Sequence, residues 1–171
     1  MNNENLKELI AELKRRNLKV ATAESLTCGL IGATLTSVSG ASAVVRGGYL
    51  VYCDEMKNAA LDVPKEMLEQ FTAVSEPVAR AMALGALRKT PGADIAVAVT
   101  GYAGSTGGLA PDADKGLVYI GIACNFNVVS GEKQENVSVS EHRFPGERED
   151  VRNETVNQAI AKIQDLLALK M

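Results

Sequence analysis

The segment Asp94-Ile95-Ala96-Val97-Ala98-Val99-Thr100-Gly101 constrains the fold more than any other. Its apolar run is too short for a helix and has no polar alternation, so it reads as a strand with no face for water. Such a strand has to be covered on both sides, which places it inside a largely parallel sheet flanked by helices. The remaining periodicities agree. Leu6, Ile10, Leu13 and Leu18 mark an amphipathic helix over about Glu4–Arg16, and LKVATAE reads as a short buried strand. Helical spacing resumes from Cys28 to Val38 through Leu30, Ile31, Thr34 and Leu35, and Ser39-Gly40-Ala41-Ser42 ends it. VVRGGYLVY is a second strand, and Asp54 is a candidate cap for a helix beginning at Glu55.

Ser75-Glu76-Pro77 places a capping serine before a proline in the first turn, and Val78, Met82, Leu84 and Leu87 supply the apolar stripe of a helix ending at Thr90-Pro91-Gly92. A glycine-rich loop runs from Gly101 to Gly116. LVYIGIACNF and QENVSVSEHRF, joined through Val129-Ser130-Gly131-Glu132, read as a β-hairpin. After Pro145-Gly146, Val151, Val156, Ile160, Ile163 and Leu167 mark a long closing helix. The pattern predicts an α/β fold: a three-layer α/β/α sandwich around a mixed, mostly parallel sheet. With 171 residues and no internal repeat or linker, residues 1–171 are expected to form one domain. A chain of this size buries roughly 70% of its unfolded surface and needs no disulfide or metal to fold.

Composition narrows the chemistry. A net charge of −3 argues against binding nucleic acid through its phosphates. No apolar stretch approaches the ~18 residues of a membrane span, and the charged opening MNNENLKELIAELKRRN has no signal-peptide core, so the expected setting is the cytoplasm. His142 is the only histidine, and Cys28, Cys53 and Cys124 form no CxxC pair, so neither a His-rich metal site nor a redox motif is expected. The chemistry falls to Ser, Thr, Lys, Tyr, Arg, carboxylates and backbone.

Four segments stand out. Thr22-Ala23-Glu24-Ser25-Leu26-Thr27-Cys28-Gly29 leaves a strand and enters a helix, where free N–H groups and the helix dipole favour an anion; Ser25 or Thr27 is there either a plain helix cap or a functional hydroxyl. Lys57 follows Tyr52-Cys53-Asp54-Glu55-Met56 and falls in the first turn of its helix, where the dipole disfavours a cation. If buried it can be a base for a serine; if exposed it is an ordinary surface lysine. Thr100-Gly101-Tyr102-Ala103-Gly104-Ser105-Thr106-Gly107-Gly108 is neither GxGxxG nor a P-loop, but a Gly/Ser/Thr segment of this kind can bring backbone N–H groups to a small anion. Gly146-Glu147-Arg148-Glu149-Asp150-Val151-Arg152 opens a helix, with Arg148 or Arg152 able to reach a phosphate or carboxylate. His142 reads as a residue on a strand face, and a thiol hydrolase pairing it with Cys28 or Cys53 has no support in the spacing.

Taken in order, TAESLTCGLIGATLTSVSGAS, RGGYLVYCDEMK, AVSEPVARAMALGA, ADIAVAVTGYAGSTGG, KGLVYIGIA and FPGERxxVR resemble the CinA C-terminal domain family, the family of the bacterial nicotinamide mononucleotide deamidases (nicotinamide-nucleotide amidases). The likeness covers about Leu18 to Ala161, and a length of 171 residues leaves room for the amidase domain alone. The resemblance implies hydrolysis of the carboxamide of nicotinamide mononucleotide to nicotinic acid mononucleotide and ammonia, with no cofactor or metal and with assembly into a homodimer or higher homo-oligomer. It implies Ser25, Lys57 and Tyr52 as catalytic residues. Thr27, Cys28, Gly29, Thr100, Gly101, Gly104 and Arg148 would bind substrate, with N–H groups near Thr27–Gly29 holding the oxyanion. Against the family pattern AESCTGG, the chain has Leu26 and Cys28; Cys53-Asp54 replaces Ser-Asn, Tyr102 and Ser105 replace Ile and Pro, and Glu147 replaces Asp. A carboxylate at Asp54 is expected to favour the charged form of Lys57. A nucleotide-binding module with altered catalysis is the alternative reading.

Overall fold

A computed structural model describes residues 3–104, 114–126 and 133–168. Its described elements run α1 (Asn3–Arg15), β1 (Val20–Glu24), α2 (Leu30–Leu35), β2 (Val45–Leu50), α3 (Asp54–Leu61), α4 (Lys65–Phe71), α5 (Glu76–Lys89), β3 (Ile95–Gly101), β4 (Leu117–Phe126), β5 (Lys133–Arg143) and α6 (Arg148–Ala168). A one-turn 3-10 helix, Ala41–Ala43, precedes β2. The strand order is β2-β1-β3-β4-β5. β1 pairs in parallel with both β2 and β3, whereas β3–β4 and β4–β5 are antiparallel. The sheet is thus mixed, as expected, but its pairings divide evenly between the two kinds. β4 and β5 each run antiparallel to the preceding strand, where a parallel partner would have needed a long crossover connection, usually a helix.

The strand at the centre explains the layers. Ile95, Val97 and Val99 of β3 point towards α1, α2 and α6, while Ala96 and Ala98 point towards α3, α4 and α5. Both faces are fully covered, and the period of two separates large side chains from small ones. The alanine face lets α5 lie close to the sheet: a Cβ on Gly121 of β4 would come within 2.7 Å of the Ala79 carbonyl oxygen. The opposite layer is filled by longer side chains, including Ile31, Leu35, Ile160 and Ile163, all wholly buried. Truncating any of these to alanine is expected to cost about 2–5 kcal/mol.

Several local expectations shift. The helix expected from Cys28 to Val38 is only Leu30–Leu35, because Cys28 and Gly29 both take left-handed backbone (φ 47° and 98°) that no helix accepts. Asp54 is the first residue of α3, and Cys53 holds the cap position. Helix α4, unanticipated, starts after Pro64 and buries Leu68. Ser75 sits at the cap of α5, but its hydroxyl donates to the Thr72 carbonyl instead of to the helix. The hairpin connection Val129–Glu132 and residues Ser105–Gly108 of the glycine-rich segment lie outside the described residues. No helix among the described residues is long and apolar enough to cross a membrane.

Sheet register brings three chain segments to a common edge. Glu24 at the end of β1 lies opposite Val99 of β3 and Leu50 of β2. The Ser25 N–H donates to the Val99 carbonyl (3.2 Å), and the Val51 N–H donates to the Glu24 carbonyl (2.9 Å). Three parallel strands therefore release their chains at one edge, the place where open α/β sheets form their crevices.

Candidate active site

At that edge lies a cavity of about 290 Å³, lined by Ser25, Tyr52, Lys57, Thr100, Gly104 and Arg148 among others. Its centre is a pair. The Lys57 Nζ stands 3.3 Å from the Ser25 Oγ and donates to the Tyr52 carbonyl oxygen at 3.2 Å. Residues 32 positions apart meet because parallel pairing of β1 with β2 sets the start of α3 beside the Ser25 turn.

Lys57 is 1% exposed. Burial penalises its ammonium form and holds its pKa below the usual lysine value, while Asp54, then Cys53 and Glu55, push in the opposite direction. The Asp54 Oδ1 is 3.9 Å from Nζ, but this carboxylate is half exposed and weakened by solvent. The sequence expectation that Asp54 would favour the charged lysine is met in sign, and desolvation outweighs it. An amine whose charged form burial disfavours, set against a serine hydroxyl, is the arrangement of a base and its nucleophile.

Thr100 is buried, and its Oγ1 donates to the Ala73 carbonyl (2.8 Å), which leaves its oxygen free to accept from a ligand. Across the cavity, Arg148 opens α6 and makes no hydrogen bond or ion pair with the described residues. Its guanidinium lies so near Gly104 that a Cβ there would be 3.1 Å from Nη2. Such a cation on a cavity wall beside glycine backbone is suited to an anionic group. Tyr102 and Tyr52 also line the cavity. Tyr52 is 63% exposed and its hydroxyl makes no hydrogen bond to Ser25 or Lys57; the residue's contact with the pair is through its carbonyl.

The structure does not bring Thr27, Cys28 and Gly29 to the cavity. Thr27 is wholly buried, and its hydroxyl donates to the Glu24 carboxylate (2.7 Å). The Gly29 N–H donates to the same carboxylate (2.9 Å), and the Cys28 N–H to the Ser25 carbonyl (3.2 Å). The expected oxyanion donors of Cys28 and Gly29 are therefore consumed within the turn, because Glu24 and the Ser25 carbonyl reach them first. Cys28 adds no bulk in a tight place, since its side chain is exposed. Arg152, a candidate for anion binding, instead donates to the Leu26 and Thr27 carbonyls (3.0 and 3.2 Å). His142 contacts Ser140 (2.9 Å) and stacks on Phe144, away from Cys28 and Cys53 in its contacts. Sequence reasoning gave Glu24 no role; its signal was a carboxylate ending a short strand that reads as buried.

The fold and site together define a class: a three-layer α/β/α domain with a buried lysine set against a serine at the strand ends. The CinA C-terminal domain model matches residues 2–167, and the chain belongs to that family. It is 40% identical over 159 residues to a CinA-like protein of Akkermansia muciniphila, covering 93% of this chain and 36% of that protein. It is 42% identical over 156 residues to a putative competence-damage inducible protein of Clostridium botulinum, covering 91% and 36%. The chain thus spans about a third of the length of these relatives. Among solved structures, the competence/damage inducible protein CihA of Agrobacterium tumefaciens superposes with a TM-score of 0.85 at 36% identity, covering 95% of this chain and 93% of that one. A CinA superfamily protein of Klebsiella pneumoniae superposes with a TM-score of 0.82 at 34% identity, covering 98% and 99%.

Proposed function

We propose that the chain hydrolyses the carboxamide of nicotinamide mononucleotide, giving nicotinic acid mononucleotide and ammonia. The observation that carries this reading is the buried Lys57 Nζ at 3.3 Å from the Ser25 Oγ. Neutral Lys57 accepts the Ser25 proton as Oγ bonds to the amide carbon, and the carbonyl electrons move to oxygen. The pyridinium ring withdraws electrons and makes that carbon a better electrophile. The N–H group of Leu26, which lines the cavity, has no hydrogen-bond partner among the described residues, and we assign it to the oxyanion in place of those of Cys28 and Gly29. The carbon–nitrogen bond then breaks, the Lys57 proton passes to the departing nitrogen, and ammonia leaves. Water attacks the ester, gives a proton to Lys57, and Ser25 takes it back as the acid is released.

Thr100 accepts from the carboxamide NH2, and Arg148 with the Gly101–Gly104 backbone holds the ribose phosphate. Tyr52 serves by its carbonyl, which holds Nζ. The same reading carries assembly into a homo-oligomer, for which the exposed Leu50, Tyr52, Met56 and Phe71 supply apolar surface. The experiment is ammonia release from nicotinamide mononucleotide, with chromatographic detection of the acid nucleotide and Ser25→Ala as control. Ammonia from the wild type and none from Ser25→Ala is the expected result. Nucleotide binding without ammonia would favour the binding module, a reading to which Asp54 beside Lys57 gives some physical basis.

A further inference from the structure

The Glu24 side chain is fully buried, and Glu24 is not among the residues that line the cavity. Four donors converge on it. Oε2 accepts from the Thr27 hydroxyl (2.7 Å) and from the N–H groups of Gly29 (2.9 Å) and Ile31 (3.0 Å), and Oε1 accepts from the Gly32 N–H (2.9 Å). The N–H groups at a helix start have no acceptor within the helix, so a buried helix start must find one elsewhere. Here an internal carboxylate supplies it. The same residue's carbonyl accepts from Val51, just before Tyr52, and its neighbour Ser25 is tied to β3 through Val99. Glu24 therefore joins all three parts that carry the site: the turn after Ser25, the segment leading to Lys57, and the central strand.

We infer that Glu24 is a positioning residue, whose carboxylate holds the turn from Ser25 to Gly32 so that the serine Oγ stands against the Lys57 amine. The inference rests on Ser25 being the nucleophile of the proposed reaction, but not on which amide is its substrate. The chemistry at this place is specific. A group that meets four donors has to be acceptor-only, which a carboxylate is and a carboxamide is not. Glutamine would turn an NH2 against N–H groups, and aspartate is one methylene too short to span from β1 to Gly32. The turn gains no compensation from water, because Thr27 and Glu24 are both wholly buried.

The test is the labelling rate of Ser25 by a fluorophosphonate, read by mass spectrometry, beside kcat and KM for ammonia release. In Glu24→Gln and Glu24→Asp, labelling and kcat are expected to fall on the order of a hundredfold, as for a nucleophile displaced by about 1 Å, while KM stays within about twofold. Thr27→Val removes one donor and is expected to lower labelling about tenfold; Thr27→Ser restores it. Should the Glu24 variants fail to fold, the Thr27 pair carries the test alone. Wild-type labelling rates in folded Glu24→Gln or Thr27→Val, or a loss confined to KM, overturn the inference and leave the proposed reaction standing. Labelling that depends on Glu24 without ammonia from the nucleotide does the reverse. A wild type that neither labels nor releases ammonia has no reactive serine to position, and overturns both.

Discussion

The two neighbouring parallel strands that meet at the cavity end in opposite ways. β1 runs into a turn whose polar groups are largely consumed: Glu24 takes four donors, Arg152 takes two carbonyls, and Ser25 is tied to β3. β3 runs into the glycine-bearing segment Gly101–Gly104, faced by an arginine with no partner among the described residues. One side is closed on itself and holds Ser25, the proposed nucleophile, in place. The other is open, and its electrostatics are completed only by something that arrives. Arg148 even stands at the start of α6, where the helix dipole disfavours a cation by about 0.3–1 kcal/mol. That cost is understandable if the guanidinium serves a ligand and not the helix.

If this division holds, the largest effect comes from the closed side. Lys57→Met is expected to lower kcat by about a thousandfold or more, since it removes the base. It should also stabilise the fold by roughly 1 kcal/mol, because a buried amine gives way to an apolar chain of similar length. Linkage sets the sign. The unfolded lysine stays protonated up to its ordinary pKa, whereas folded Lys57 gives up its proton at lower pH. Stability therefore rises with pH through that interval in the wild type and should be flat there in Lys57→Met. Thermal melts across the pH range, run beside the activity assay, check both halves.

On the open side, Arg148→Ala is expected to raise KM for the nucleotide by about ten- to a hundredfold with a smaller change in kcat, the worth of a charge-assisted contact. For the corresponding nucleoside, which lacks the phosphate, the same substitution should change little. A large fall in kcat for both substrates would place Arg148 in the chemistry and break the division. Asp54→Asn is a finer probe. Asp54 raises the Lys57 pKa, so its removal should shift the rising limb of kcat/KM towards lower pH, and only modestly for a half-exposed carboxylate. The smallest effect is Cys28→Gly: relieving left-handed backbone at a residue with a Cβ should stabilise by about 1 kcal/mol, or ~2–4 °C in Tm. Ammonia release should persist in that variant, which excludes its thiol as nucleophile.

The parts legible in the chain were those decided by local periodicity. Central β3 could be read from Ile95–Val99 because a strand buried on both faces has no polar side chain to place, and α1, α5 and α6 from apolar stripes that need only one covered face. Helix α2 came out shorter because left-handed backbone at Cys28 is set by the turn Glu24 ties down, and cysteine carries no signal for it. Helix α4 was missed although Pro64 before Lys65, with Met67, Leu68 and Phe71 at helical spacing, was a usable start signal. Ser25 and Lys57 were each ambiguous alone. Their meeting depends on the parallel register of β1 with β2, and neither segment contains that information; only the family resemblance linked the two residues without the register. Glu24 was illegible for the same reason from the other side: its partners lie within eight residues, but only the folded turn aims them at one carboxylate.

The central claim is that burial lowers the Lys57 pKa so that its neutral amine serves Ser25 as a base, and the direct measurement is an NMR titration of its Nζ in the folded protein. The account predicts a pKa below the ordinary lysine value, falling further in Asp54→Asn and coinciding with the rising limb of kcat/KM. A Lys57 that titrates with the surface lysines, or a rate profile indifferent to its protonation, would contradict it.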